Sequence, residues 1–488
     1  MKTIKTILET DDLKNFLFPI IGRNTIRVAD RLKAYRIEKK SQLIGLAQRK
    51  LPKVSIKTAQ IKGLSRSYLA VQRKIQPELV ISQFQKAMGI SRNDAIKIYN
   101  KCIRATVNFQ RYNYNSSWAF GTVKKKNNTH LTSTFWYHAS EVRFASGFFI
   151  VPGYQDTGPI FDQGERGTCV ANALCSAIDY ATNQNSSRQF IYHQSKMVDG
   201  IPTEEGTFIE TAVNVLCDKG IEDLGNIGDS VWPYNPYIGK TTHQGPPPVK
   251  AFNTKRIYTT SQPVFARENR KVEDIMYLLN CKAHDKTSHK AVGKTCLVVI
   301  GVAIHESFFS YNTADTGWIT MPLPGEAIVG YHAMAICGYD EKRKLFLVRN
   351  SWGPHWAHNN DMGFVGHAWI PFEYIEKFCH VAVSLNNFEI EFLIVQEDER
   401  LYNKKTIGIY AGRIAATINK KQKFARRSKS HISLMNWLVK FLQEIIFSYA
   451  YNDPIIKAHG NHKNVFEEHL NPKGFKNKVS NFFEDFTN

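Results

Sequence analysis

Apolar residues recur at helical spacing through much of the first 150 residues. Ser91 is a typical N-terminal capping residue, and an amphipathic pattern follows it. The apolar positions of this pattern are Ile96, Tyr99, Ile103 and Val107. Weaker helical patterns cover 32–50 and 68–88, and from 118 to 149 aromatic and β-branched residues favour short strands. The pattern predicts a mainly helical N-terminal region with a boundary near residue 145.

The middle of the chain begins with helical patterns and ends with strand-like runs. The clearest helical pattern starts directly after Cys169. Its apolar positions are Val170, Ala173, Leu174, Ala177, Ile178 and Ala181. Short β-branched runs follow over 295–304, 333–338 and 345–348, beyond a loop rich in Pro and Gly at 231–249. Helices followed by strands predict an α+β fold for this part of the chain.

Charge is distributed unevenly along the chain, which indicates separate modules. The 488 residues carry a formal net charge of +21. Residues 1–150 hold 28 basic and 8 acidic side chains, a net charge of +20, and residues 396–488 contribute +7. The segment between them, 151–395, has a net charge of −6. Because a chain of this length exceeds one hydrophobic core, three units are predicted, at 1–145, 146–395 and 396–488.

Composition argues against several classes of protein. The eight cysteines lack metal-ligand spacing, so thiols in a reducing compartment are expected. Asp11 and Asp12 precede any long apolar run, which argues against a secretory signal peptide. The apolar stretch 434–451 is interrupted by Lys440 and Glu444, so it is too short and too polar to span a bilayer. We expect a cytoplasmic protein without a transmembrane segment, metal or organic cofactor, and delivery into another cell is the alternative location.

Cys169 is a candidate nucleophile because it stands where a helix begins. The backbone N–H groups and macrodipole of a helix N-terminus favour a thiolate over a thiol. A lone cysteine is more often a buried structural residue. Here His332 begins one β-run and Asn350 ends the next, and adjacent strands bring such side chains to one edge. An asparagine carbonyl that accepts a ring N–H holds the imidazole of a thiolate–imidazolium pair in one orientation.

Gln163 lies six residues before Cys169 on a glycine-rich loop. Its side-chain amide can reach a developing oxyanion together with the backbone N–H of Cys169. His355 and His358 follow the asparagine, but no cysteine or carboxylate completes a metal-ligand pattern with them. The candidate chemistry is therefore acyl transfer without a metal.

Three sequence blocks carry a resemblance to a known family. The blocks are Gln163-Gly-x-x-Gly-x-Cys169, Tyr331-His332-Ala-x-Ala and Asn350-Ser-Trp-Gly353. In this order they resemble the signature of the papain family of cysteine peptidases, and the segment from Glu204 to Tyr234 is similar to its bacterial members. The resemblance covers about half of the chain. It implies a papain-like fold of two lobes, helical on the left and β-rich on the right, with an extended substrate between them.

The same resemblance implies roles for individual residues. Cys169 is the nucleophile, His332 its base and Asn350 the residue that orients the histidine. The remaining roles fall to Gln163 in the oxyanion hole, Trp352 over the histidine–asparagine hydrogen bond and Gly206 at the border of the substrate cleft. Two positions depart from the family pattern. Arg166 replaces a cysteine that forms a disulfide in secreted members, and Val170 replaces a tryptophan.

These observations predict a cysteine endopeptidase that hydrolyses peptide bonds through a Cys-His-Asn triad and a thioester acyl-enzyme. A deamidase or a transglutaminase-like acyl transferase on the same scaffold is the alternative, because the triad does not separate them. A third reading is a basic binding protein with an inactive cleft, and the retention of all four chemical residues argues against it. The expected partner is a protein or peptide substrate.

Several interpretations are open for the two flanking regions, 1–145 and 396–488. The basic region 1–145 fits a helical cap, an inhibitory segment over the acidic peptidase unit, or an arm that binds nucleic acid or an anionic lipid surface. In 396–488 an amphipathic helix is predicted, either packed on the peptidase domain or lying on an anionic membrane. Its apolar positions are Leu434, Leu438, Leu442 and Ile445.

Overall fold

The computed structural model describes residues 12–49, 77–105, 147–201, 205–219, 221–222, 232–234, 236, 255–259, 263–280, 282–284, 291–295, 297–385 and 388–392. The strands predicted between 118 and 146 and the amphipathic helix predicted in 396–488 lie outside these residues. No helix within the described ranges is long and apolar enough to cross a membrane.

The N-terminal region is helical, as predicted. Its helices are α1 (Leu13–Ile21), α2 (Thr25–Lys33), α3 (Lys40–Gln48), α4 (Pro77–Met88) and α5 (Arg92–Arg104). Ser91 caps α5, since its hydroxyl accepts a hydrogen bond from the backbone N–H of Asp94 at 3.1 Å. The predicted apolar face of α5 is confirmed in part: Ile96 and Tyr99 are partly buried against the core of these helices, whereas Ile103 is 45% exposed. The fully buried residues of α5 are Ala95, Ile98 and Cys102.

A helical part and a β-rich part follow. The helices are α6 (Cys169–Thr182), α7 (Arg188–Val198), α8 (Ile209–Lys219), α9 (Lys271–Asn280), α10 (Tyr311–Thr316) and α11 (Phe372–Phe378). The strands are β1 (Phe148–Ile150), β2 (Ile221–Glu222), β3 (Lys255–Thr259), β4 (Val264–Phe265), β5 (Lys282–His284), β6 (Ala291–Thr295), β7 (Val298–His305), β8 (Ile328–Asp340), β9 (Leu345–Arg349), β10 (His367–Pro371), β11 (Cys379–Ser384) and β12 (Phe388–Phe392). The α+β fold predicted from the sequence is confirmed.

The main sheet is antiparallel, in the order β10-β9-β8-β7-β11-β4, and β1 also pairs with β8. Strands β7 and β9 are buried along their whole length, which explains their continuous apolar runs. Strand β8 has 13 residues and pairs with β7 over its first part and with β9 over its second. His332 therefore lies inside β8, opposite Val302, and not at the start of a strand as the sequence predicted.

The N-terminal helices pack against the β-rich part. Leu323 joins the apolar core formed by these helices. The indole N–H of Trp318 donates to the carbonyl of Arg36 at 2.9 Å, and the backbone N–H of Met321 donates to the carbonyl of Tyr35 at 3.1 Å. This attachment joins 12–105 to the segment that precedes β8.

Candidate active site

Cys169 is the first residue of α6, the helix that the sequence predicted. The preceding residue, Thr168, accepts hydrogen bonds from the side-chain amide of Asn172 through its carbonyl, at 2.8 Å, and through its hydroxyl, at 3.1 Å. Helix α6 packs against β8, the strand that carries His332. The thiol is thus held at the N-terminal end of a buried helix, where the local dipole favours negative charge.

The hydrogen bond between His332 and Asn350 fixes the orientation of the imidazole. The Nε2 atom of His332 lies 2.7 Å from Oδ1 of Asn350. The same Oδ1 accepts the backbone N–H of Ser351 at 2.8 Å, which identifies this atom as the amide oxygen. His332 must therefore donate from Nε2, so in the neutral ring Nδ1 is the proton acceptor.

Trp352 covers this hydrogen bond. Its ring lies 4.8 Å from the His332 ring, centroid to centroid, with the planes 29° apart. The tryptophan is only 4% exposed, and three aromatic side chains surround it. They are Phe308, Phe309 and Trp356. An apolar cover of this kind keeps water away and strengthens the hydrogen bond beneath it.

Burial controls the charge of the histidine. Desolvation lowers the pKa of His332 from 6.5 to about 4, and the hydrogen bond to Asn350 opposes this shift. Burial by itself therefore favours the neutral imidazole, which is the form that can accept a proton. A thiolate beside the ring would raise this pKa, because an opposite charge stabilises the imidazolium.

Both polar atoms of the Gln163 side-chain amide are hydrogen-bonded. Its Oε1 accepts the hydroxyl of Ser351 at 2.6 Å, and its Nε2 donates to the carbonyl of Arg166 at 2.8 Å. Its backbone N–H donates to the carbonyl of Ser351 at 2.9 Å, so the loop pairs with the segment after β9. An amide nitrogen carries two hydrogens, so Gln163 can hold Arg166 and still donate to an oxyanion.

Gly206 lies against the nucleophile loop, 163–168. A Cβ atom added to Gly167 would lie 2.7 Å from the backbone nitrogen of Gly206, which is closer than real Cβ contacts allow. Gly206 itself has a φ of +93°, in the region that favours glycine. The two loops therefore meet backbone to backbone, and the place of Gly206 at the border of the substrate cleft stays a prediction.

The candidate residues are enclosed. Cys169, His332 and Gln163 have relative exposures of 0%, and Asn350 is 2% exposed. In the described part of the chain, no cluster of three or more His, Cys, Asp or Glu side chains is placed to hold a metal ion.

Several residues that shape the site were not singled out from the sequence. The hydroxyl of Tyr234 donates to the carbonyl of Gln163 at 2.9 Å, and the guanidinium of Arg188 lies 4.0 Å from the centre of the Tyr234 ring. Ser351 lies within the third sequence block, so its position was a usable signal. Tyr234 ends the segment that resembles the bacterial members, but the resemblance gave it no role, and no local pattern marks Arg188.

Residues 153–366 match the family described as papain family cysteine protease. The chain contains a papain family cysteine protease domain. The chain is 28% identical over 246 residues to an uncharacterized peptidase C1-like protein of Acanthamoeba polyphaga mimivirus, a match that covers 48% of this chain and 69% of that protein.

Two cysteine proteases are among the solved structures that are similar to this chain. Xylellain, a cysteine protease from Xylella fastidiosa, has 22% identity and a TM-score of 0.36, over 47% of this chain and 83% of that chain. A cysteine protease of Carica candamarcensis has 16% identity and a TM-score of 0.34, over 50% of this chain and 99% of that chain. The papain-like fold predicted from the three blocks is confirmed by the family match. The boundaries at 145 and 395 stay predictions.

Proposed function

We propose that this protein is a cysteine endopeptidase that hydrolyses peptide bonds through Cys169, His332 and Asn350. The observation that carries the proposal is the His332–Asn350 hydrogen bond of 2.7 Å under Trp352, in a domain of the papain family. This bond places the proton on Nε2 and leaves Nδ1 as the nitrogen that exchanges a proton with Cys169.

Acylation begins when Nδ1 of His332 accepts the thiol proton and the sulfur of Cys169 attacks the peptide carbonyl carbon. A carbon–sulfur bond forms, and the carbonyl electron pair moves to the oxygen. Gln163 Nε2–H and the backbone N–H of Cys169 stabilise this oxyanion. The intermediate then collapses: the carbon–nitrogen bond breaks, and the imidazolium gives its proton to the departing amine.

Deacylation repeats these steps with water. His332 takes a proton from water as its oxygen attacks the thioester carbon, and the carbon–sulfur bond then breaks. The carboxylic acid leaves, and the thiol recovers its proton from the imidazolium. Asn350 holds the ring in one orientation through both halves, so that Nδ1 meets the sulfur, the amine and the water in turn.

The test is incubation of a peptide library with the full chain and with Cys169→Ala, followed by mass spectrometry. The native protein should cleave peptides, and Cys169→Ala should not, because the lost sulfur is the attacking atom. Cys175→Ala is the matched control, since it removes a buried thiol from the same helix and should keep activity.

Full cleavage by Cys169→Ala would contradict the assignment of the nucleophile. Deamidated or cross-linked products without cleavage would replace the endopeptidase with a deamidase or an acyl transferase. Each product has its own mass change, so one experiment separates the three activities. Protein and peptide substrates are the partners that this proposal requires.

A further inference from the structure

Both backbone groups of Gly206 are held by side chains of one helix. The N–H of Gly206 donates to the hydroxyl of Tyr192 at 3.2 Å, and its carbonyl accepts from the ammonium of Lys196 at 2.8 Å. Tyr192 and Lys196 are one helical turn apart on α7, so they share a face. The position of the cleft border is therefore set by α7, not by the loop that contains Gly206.

Lys196 is a costly residue to place here. Its side chain is fully buried, and an isolated buried ammonium is strongly unfavourable. Three oxygen partners compensate: the carbonyls of Ile201 at 2.7 Å and Gly206 at 2.8 Å, and the buried carboxylate of Asp199 at 2.7 Å. Two of these three contacts hold loop carbonyls. This arrangement indicates that the ammonium serves to fix the loop.

Glu205 connects the same helix to the nucleophile loop. Its Oε2 accepts the hydroxyl of Tyr192 at 3.0 Å and the backbone N–H of Gly167 at 2.9 Å. Gly167 stands two residues before Cys169. Burial raises the pKa of Tyr192, so its hydroxyl keeps the proton that it donates. One carboxylate oxygen thus joins the cleft border, α7 and the loop that carries the thiol.

Arg166 closes this network from the side of the nucleophile loop. It is fully buried, donates to the side-chain carbonyl of Gln189 at 2.6 Å, and stacks on the Tyr192 ring at 5.1 Å. Gln189 also belongs to α7. The arginine therefore ties the nucleophile loop to the helix that holds Gly206, at the position where the sequence departs from the disulfide-bearing family pattern.

We propose that Tyr192, Lys196 and Glu205 are positioning residues for the peptidase reaction. Together they form the Gly206 clamp, which sets the distance between the cleft border and the nucleophile loop. The proposal rests on the proposed function, because positioning is measured through peptide cleavage. Tyr192 and Lys196 act mainly on the wall against which the substrate lies. Glu205 acts also on the loop that precedes the nucleophile.

The test compares steady-state cleavage of one fluorogenic peptide by the full chain and by variants. Tyr192→Phe keeps the ring that stacks on Arg166 and removes only the hydroxyl. It should raise KM by about 3- to 10-fold, the effect of one lost hydrogen bond, with kcat changed less than about twofold. Tyr180→Phe is the matched control, because it removes a buried tyrosine hydroxyl that bonds Pro152, at 2.7 Å, outside the clamp.

Glu205→Leu should lower kcat by about 3- to 10-fold, since the N–H of Gly167 loses its acceptor. Glu205→Gln should restore kcat, because an amide oxygen can accept both hydrogen bonds. A native chain that cleaves no peptide would refute the proposed function. If the native chain cleaves but Tyr192→Phe matches Tyr180→Phe in KM, or Glu205→Leu matches Glu205→Gln in kcat, the clamp is wrong.

Discussion

Replacement of Arg49 by methionine should detach the N-terminal helices from the peptidase domain. The guanidinium of Arg49 lies 3.1 Å from the carboxylate of Glu306 and 3.9 Å from that of Glu326, and all three side chains are at most 1% exposed. It also donates to the side-chain carbonyl of Gln83 at 2.6 Å. Methionine would leave two buried carboxylates without a counter-charge.

The expected cost is about 3–5 kcal/mol in the free energy of unfolding, the usual loss when one partner of a buried pair is removed. Arg92→Met is the matched control, since Arg92 pairs with Glu78 on the same helical region at a site where the side chains are 54% and 64% exposed. That variant should lose no more than about 1 kcal/mol. Urea unfolding of the full chain measures both.

The cost should also depend on pH. Burial already raises the pKa of Glu326 above 4.5, and Arg49 opposes that shift, so the variant raises the pKa further. A carboxyl whose pKa is raised by folding stabilises the fold below its unfolded pKa and loses this contribution as pH rises through its folded pKa. The loss in Arg49→Met should therefore be smaller at acidic pH than at neutral pH.

Equal losses for Arg49→Met and Arg92→Met would refute this reasoning. The effect of salt distinguishes this buried attachment from a surface attraction. A surface attraction between the basic N-terminal region and the acidic peptidase unit would be screened, but the buried Arg49 pairs are screened far less. We therefore expect added salt to leave the attachment of 12–105 largely intact.

Two further predictions concern the active site. Asn350→Ala should lower kcat by about 10- to 100-fold with a smaller change in KM, because His332 loses the acceptor that orients its ring. Steady-state cleavage of a fluorogenic peptide measures both constants. An unchanged kcat would remove Asn350 from the mechanism. Iodoacetamide near pH 6 should alkylate Cys169 before the other cysteines, and peptide mapping would locate the labelled sites. Burial raises the pKa of Cys102 and Cys337 to about 12, so those thiols stay protonated and unreactive at this pH. Uniform labelling would contradict an activated thiol.

Local sequence was sufficient to predict the helix and the strands that carry the candidate catalytic residues. The periodicity after Cys169 predicts α6, and the β-branched runs predict β7, β8 and β9. These elements bury their apolar residues with a regular period, so neighbouring residues in the chain reveal them. The order of the three blocks predicted the family for the same reason, since each block is contiguous.

Packing against neighbouring helices decided which face of α5 is buried. In α5 the sequence favoured the stripe of Ile96, Tyr99 and Ile103, of which the first two are partly buried and the third is exposed. The structure centres the buried face one position earlier, on Ala95, Ile98 and Cys102. Ala95 and Cys102 belong to the apolar core that α5 shares with α3 and α4, and small residues there allow neighbouring helices to approach closely. Periodicity detects an amphipathic helix, but the shape of the neighbouring helices selects the face that is buried.

By itself, the sequence was sufficient to predict the family and the mixed fold and to name the candidate nucleophile, base and orienting residue, because each depends on short contiguous patterns. Only the tertiary structure decided how the basic N-terminal region attaches and how Gly206 is held. Arg49 and Glu306 are 257 positions apart in the sequence. The net charges of the N-terminal region and the peptidase segment suggest only a general attraction between the two. Burial turns that attraction into a specific contact, because a charge removed from water must find a partner at hydrogen-bond distance.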